Sequence, residues 1–307
     1  MSAPIHSHPQ LHLPLRRRAA LQTGFSWTAT LGLAHVAIPA LAQSAGIAGK
    51  APRLVTVSGA ITEIVYLLGA EAQLVGTDTT SLYPLAAQKT AKVGYMRQLS
   101  AEGLLSLKPD AIIATTEAGP PVVLDQIRSA GVKVELITAD HTWAEVQRKI
   151  LAVGRASARE QQAQGLVTQL DAQWAVAQIK VTAHKGRKPR VLFILAHSAN
   201  LQVAGEKTAA DGIIRLCGGQ NAMSGFNGYR PMTAEAMSSV APEVILTTTQ
   251  GIEAYGGVDK FWTRPELALT PAFKTKMLVH MDALELMGFG PRMPQTIQKI
   301  HEKLMSS

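Results

Sequence analysis

Two tyrosine–arginine clusters are the parts of this chain best equipped for chemistry. Gly94-Tyr95-Met96-Arg97 sets a phenol two residues from a guanidinium, and Gly228-Tyr229-Arg230 sets the same groups side by side. A phenol titrates near pKa 10 and becomes a hard anionic oxygen ligand once its proton is lost. A nearby cation favours that loss, and arginine supplies a permanent one. In an extended segment, residues i and i+2 project to the same side, so Tyr95 and Arg97 are expected to act together. The bland alternative is a pair of loop tyrosines beside solvated arginines, and spacing by itself leaves it open.

Other residues are candidates by position. Glu102 and Glu235 each fall in the first turn of a helix opened by a hydroxyl residue, where an acid interacts favourably with the helix dipole. His197 follows the run Val191–Leu195 at the end where α/β sheets bind ligands. Cys217 is the one cysteine, which excludes an intramolecular disulfide framework and an all-cysteine metal cluster. Placed just before Gly218-Gly219, it is expected to be buried and inert. Catalytic signatures are missing: the chain has no phosphate loop, no His-Glu-x-x-His and no Gly-x-Ser-x-Gly. An exported α/β enzyme therefore stays a different-class alternative without a catalytic constellation behind it, and a non-enzymatic role is expected.

The elements that must position these residues read as alternating strands and helices. Arg53–Val57, Leu74–Thr77, Ala111–Ala114, Val132–Ile137 and Arg190–Leu195 are short β-rich runs. Helical patterns lie between them, one closing at Gly69 and another running 122–130 to Gly131. Such alternation implies an α/β fold with parallel sheet. No proline occurs between Pro121 and Pro189. Within that stretch Thr142-x-x-Glu145 reads as a capping box for a helix ending near Gly154. Ser157-x-x-Glu160 reads as a second, opening a helix towards Lys185 that would span on the order of 40 Å.

An internal echo sets the organisation. Leu99–Ile113 and Met232–Leu246 align without a gap at an offset of 133. Each carries a hydroxyl residue, an early glutamate, a short helix, a Pro-acid pair and a buried strand. Two related lobes around a long helix leave a cleft, the usual place for a small ligand. The expected divisions are an export signal at 1–42, an N-terminal lobe at 52–141, connecting helices at 142–188 and a C-terminal lobe at 189–307.

With 307 residues, 47% of them hydrophobic and 17% charged, the chain can bury a core. Aromatic residues at 5% argue against stacking platforms for nucleic acid. Arg16-Arg17-Arg18 precede an apolar run from Ala19 to Ala42 that ends in the small-x-small pattern Pro39-Ala40-Leu41-Ala42. Polar interruptions at Gln22, Thr23, Ser26, Thr28 and His35 weaken it as a permanent membrane span. The segment is expected to direct export to the periplasm, and the arginine cluster suits the twin-arginine route. An amphipathic anchor is the alternative. No cysteine stands at the boundary, so a lipoprotein anchor is not expected. Of thirty basic residues the segment carries three, and it carries no acid, which leaves 27 against 22 and a formal charge of +5. That is too mild to suggest nucleic-acid binding.

Several motifs carry a resemblance. Ser58–Ile64, Val93–Gly103, Leu107-Lys108-Pro109-Asp110, Thr208–Gly219 and Leu286–Arg292 look like the haem-binding periplasmic proteins of bacterial haem ABC importers. These belong to a wider group that includes vitamin B12 and ferric-siderophore binders. The likeness spans about residues 52–306. The Leu-Lys-Pro-Asp motif is common to the whole group, whereas Gly94–Arg97 resembles the haem branch in particular. The resemblance implies two Rossmann-like α/β lobes joined by one long helix, the class III periplasmic binding protein architecture. It implies ferric haem as the transported ligand, with Tyr95 as axial ligand to the haem iron, a role known for tyrosine. Arg97, Tyr229 and Arg230 are then expected at the cleft, with Arg230 available to a propionate. Met96 would cover the porphyrin face, or simply pack in the core. His197 would be a second ligand, or a plain loop histidine. Glu102 and Glu235 would dock the two lobes on an inner-membrane permease dimer with its ATPase subunits. An outer-membrane haem receptor would act upstream for iron acquisition. A vitamin B12 or siderophore carrier is the alternative within the same fold.

Overall fold

The computed structural model describes residues 50–196 and 201–306. The expected export segment and His197 lie outside the described residues. The first half runs β1 (Leu54–Val57), α1 (Gly59–Leu67), β2 (Leu74–Thr77), α2 (Ala101–Ser106), β3 (Ala111–Thr115), α3 (Pro121–Ser129) and β4 (Lys133–Ile137). Its strands pair in parallel in the order β2-β1-β3-β4. The two central strands are buried at every position, as a sheet covered on both faces demands.

Two helices follow, α4 (Trp143–Ser157) and α5 (Glu160–Ala183). The 24 residues of α5 span about 36 Å at 1.5 Å per residue. Thr142 caps α4 as expected, its hydroxyl accepting from the Glu145 amide at 3.3 Å. The second capping box is not formed. Ser157 is the last residue of α4, and its hydroxyl donates back to the Val153 carbonyl at 2.6 Å. The break falls at Ala158, whose φ of +54° is left-handed. α4 also runs past Gly154, because that glycine serves packing rather than termination. A Cβ there would collide with the Ala163 methyl of α5.

The second half runs β5 (Arg190–Leu195), β6 (Gln202–Ala204), α6 (Ala209–Leu216), β7 (Gln220–Asn221), β8 (Tyr229–Pro231), α7 (Ala234–Val240), β9 (Val244–Thr248), α8 (Thr249–Tyr255), α9 (Val258–Phe261), α10 (Pro271–Thr275), β10 (Leu278–Met281), α11 (Ala283–Met287) and α12 (Met293–Met305). β10, β9, β5 and β7 pair in parallel. β6 and β8 extend the sheet antiparallel from the C-terminal end of β5. This mixed edge departs from the all-parallel expectation. Its three-residue strands are too short to show an alternating pattern.

Strand alternation sorts the core. Ile113, Val191, Phe193, Val244 and Leu246 point into one continuous apolar cluster shared by both sheets with α1, α4, α5, α6 and α12. Their neighbours point the other way. Ile112 and Ala114 pack with α3, whereas Leu192, Ile194 and Ile245 pack with Met237 and Phe261.

The repeat is structural as well as sequential. Ser100 and Thr233 cap α2 and α7 through the amides of Gly103 and Ala236. Lys108 and Ala241 are both left-handed, at φ +47° and +42°. The acids after the prolines hold the neighbouring strand. Asp110 accepts from the Arg53 amide at 2.7 Å, and Glu243 accepts from the Arg190 amide at 2.8 Å.

Candidate ligand-binding site

A cavity of about 440 Å³ opens where β1 and β3 meet the ends of β5 and β8. Its N-terminal wall is built on Asp78, which is fully buried after β2. One carboxylate oxygen accepts from the Ser58 amide and the Ser81 hydroxyl, at 3.1 and 2.7 Å. The other accepts from the amide and hydroxyl of Thr80. Lys92 donates to Thr77, Ser81 and Ala87, and the Thr79 amide donates to the Gly94 carbonyl. The chain is thereby clamped up to Gly94, whose φ of +99° suits a residue without a side chain.

Tyr95 comes next. It is 39% exposed and faces the cavity. Arg97 Nη1 donates to its phenolic oxygen at 2.7 Å, and Nη2 donates to Glu117 Oε1 at 2.9 Å. The pair meets as expected, but across a turn rather than along an extended segment, since the Gln98 amide donates to the Tyr95 carbonyl at 2.8 Å. Gly119 exchanges two backbone bonds with Met96 and Leu99, and this brings Glu117 alongside. Burial works against the Arg97 charge, but Glu117 and Tyr95 outweigh it and hold the guanidinium above its ordinary pKa. Met96 is 9% exposed and touches the cavity, so it serves both core and wall.

The opposite wall carries Tyr229. β8 pairs it with Ala204, and the phenol looks back toward the first half. Burial raises its pKa, and Arg97 pulls it down across the cavity. Arg230 is not among the cavity residues. Adjacent strand positions face opposite sides, and its guanidinium lies 4.3 Å from the centre of the Phe226 ring. The expectation that Tyr229 and Arg230 face the cleft together is corrected accordingly. The cation presented from this wall is Lys207, on the turn before α6.

The floor joins the halves through charge. Lys149 has a side chain 2% exposed and bonds to Glu145 at 2.6 Å and to the carbonyls of Gly288 and Phe289 at 3.0 Å. Burial pulls its pKa down, and Glu145 opposes that. Arg292 grips Glu63 at 2.8 and 3.1 Å, tying the same segment to α1. Burial raises the Glu63 pKa against this partner. Thr115, at the end of β3, has a buried hydroxyl without a hydrogen-bond partner beside the cavity.

Glu102 and Glu235 are exposed, each in the first turn of its short helix. Cys217 is buried, and burial raises its thiol pKa. Among the described residues no group of three or more His, Cys, Asp or Glu could hold a bare metal ion, and no helix is long and apolar enough to cross a membrane. Sequence reasoning missed Asp78, Glu117, Lys149 and Lys207. Glu117 had a usable signal, two residues past the end of a buried strand. Lys149 sits four residues after Glu145 on the apolar face of α4, which also marks it in retrospect.

Comparison with known proteins agrees with this architecture. The chain is similar to a solved periplasmic heme-binding protein, BhuT, in complex with two hemes, at 40% identity and a TM-score of 0.79, covering 83% of this chain and 98% of that one. It is similar to the periplasmic heme-binding protein RhuT from Roseiflexus sp. RS-1 at 36% identity and a TM-score of 0.78, covering 83% and 98%. Among curated proteins it is 25% identical to a vitamin B12-binding protein of Vibrio vulnificus, over 83% of this chain and 90% of that protein. The description "Periplasmic binding protein" fits residues 54–284 as a family model. The fold is therefore two-lobed α/β of the class III kind, the molecule is a substrate-binding protein rather than an enzyme, and the chain belongs to the periplasmic binding protein family.

Proposed function

We propose that this protein binds ferric haem in the periplasm and delivers it to an inner-membrane ABC permease for haem and iron uptake. The observation that carries the reading is the Tyr95 phenol on the cavity wall with the Arg97 guanidinium 2.7 Å away. A phenolate oxygen suits ferric iron, and a fixed cation beside it stabilises the anion. The likeness to heme-binding proteins at 36–40% identity supports the same ligand. Residues 1–42 would direct export, by the twin-arginine route if the arginine cluster is read by that machinery. The lobes would divide at 52–141 and 189–307 around the connecting helices.

Glu102 and Glu235 are the proposed permease contacts. Both are exposed, both lie on equivalent helices, and among the described residues neither has an ion-pair partner. A twofold permease would meet one anion per lobe.

One titration tests the ligand. Purified protein mixed with hemin should give a shifted Soret band and a ferric phenolate charge-transfer band. A protein silent to hemin that binds cobalamin tightly would instead be a vitamin B12 carrier, the second reading that the Vibrio vulnificus relative favours.

A further inference from the structure

The cavity walls carry five charged groups whose partners can be named one by one. Arg97 is bonded to Tyr95 and Glu117, so that pair is neutral within itself. Lys149 is bonded to Glu145 and two carbonyls, which uses all three of its ammonium protons. That leaves Lys207. It is exposed, lines the cavity, and has neither an ion pair nor a hydrogen bond among the described residues. A cation at the edge of a part-apolar cavity whose two lining carboxylates, Glu117 and Glu145, are already paired is poised for an anion that the ligand brings.

The backbone around Lys207 is held rather than loose. The Gly205 amide donates to the Gly228 carbonyl, the Glu206 amide to the Phe226 carbonyl, and the Gly228 amide to the Glu206 carbonyl, all at 2.8–3.0 Å. The Glu206 carboxylate accepts from the Gly225 amide at 3.1 Å, and among the described residues no ion pair joins it to Lys207. Thr208 donates to the Gly205 carbonyl and caps α6 through Asp211. Lys207 itself sits at φ +56°, a conformation in which glycine or asparagine would be less strained. A long charged side chain is thus kept at a strained position on the cavity lining, while Arg230, on the same wall, is stacked on Phe226.

We propose that Lys207 sets specificity by pairing with a carboxylate of the bound tetrapyrrole, a role that rests on the haem reading above. An exposed ammonium reaches its partner as a point charge, so recognition should be tolerant of carboxylate orientation but sensitive to its charge.

Hemin and its dimethyl ester separate this claim from a general packing role, because the ester keeps ring and iron and loses both anions. Absorption titrations with the wild-type protein should favour hemin over the ester by about tenfold. Lys207→Gly removes the cation and relaxes the backbone, so folding is not at risk. It should weaken hemin by about five- to tenfold and leave the ester unchanged, while Lys207→Arg keeps the preference. Raising ionic strength should weaken hemin selectively in the wild type. Equal losses for hemin and ester in Lys207→Gly, or no loss for either, would overturn the proposal. A wild-type protein that gives no spectral change with hemin overturns the haem reading itself, and this proposal with it. A normal charge-transfer band with no ester discrimination overturns the proposal alone.

Discussion

The unit Leu99–Thr115 and the unit Met232–Thr248 agree on the outside of the molecule and differ inside it. Both have a hydroxyl-capped helix, an exposed glutamate in its first turn and a left-handed residue before a buried strand. At the cavity the correspondence fails. Arg97 is paired with Glu117, but at the matching positions Arg230 stacks on Phe226 and Gln250 donates to Asp282. Thr115 has an unpartnered hydroxyl, whereas Thr248 caps α8. A surface that must meet a twofold partner gains from repetition. A pocket that binds an asymmetric ligand does not. The difference separates the part of each unit that faces outward from the part that selects what is bound.

The largest expected effect concerns the contact that holds the two halves of the floor. Lys149→Met leaves Glu145 buried without its cation and should cost about 3–5 kcal/mol in a urea unfolding curve. Replacing both, Glu145→Gln with Lys149→Met, should recover part of that loss. A drop under about 1 kcal/mol for the single change would mean that the floor is wetter than the structure implies.

Next comes the asymmetry of the two phenols. Tyr95→Phe should abolish the charge-transfer band and weaken haem by about a hundredfold or more, since even outer-shell losses at metal sites cost ten- to a hundredfold. Tyr229→Phe should keep the band and change affinity only a fewfold. Equal effects on the spectrum would make the pocket symmetric after all.

The glutamate pair sharpens the comparison from the outer side. Glu102→Ala with Glu235→Ala should bind haem like the wild type yet fail to stimulate ATPase activity in reconstituted permease. Single changes should have intermediate effects, and salt should weaken wild-type docking. Full stimulation by the double variant would reduce both residues to helix-end acids.

The smallest effect lies at the strand starts. Arg187 holds the Glu243 carboxyl below its ordinary pKa, chiefly through their hydrogen bond. A depressed carboxylate contributes stability above its unfolded pKa and loses it as pH falls through the folded one. Arg187→Ala should therefore lower the thermal midpoint slightly at neutral pH and leave it unchanged once pH falls below the carboxylate range. A constant difference across that range would remove the titration from the explanation.

Much of the framework was readable in the residues because burial and capping are local. Continuous apolar runs gave β1, β3 and β5, and Ser100, Thr142 and Thr233 marked helix starts that the structure keeps. Ser157 misled because a serine can bond backward into its own helix as readily as forward to the next. Tyr95 and Arg97 were visible because both lie in one short segment. Lys149 and Lys207 were not, since each reaches the cavity from an element far away in sequence, and Glu117, just past β3, carries no motif of its own. Arg230 was misplaced because its antiparallel strand left no periodic trace, and one step along a strand reverses the side that a residue faces.

The single apolar cluster shared by both sheets has a thermal consequence. Ile113 and Phe193 belong to different sheets yet sit in the same dry interior, along with the helices between them. Neither half can melt without exposing the inner face of the other. Heating should therefore produce one all-or-none transition, with calorimetric and van't Hoff enthalpies equal, although the architecture looks like two bodies. A carrier built this way has no half-folded state in which one lobe survives to hold its cargo.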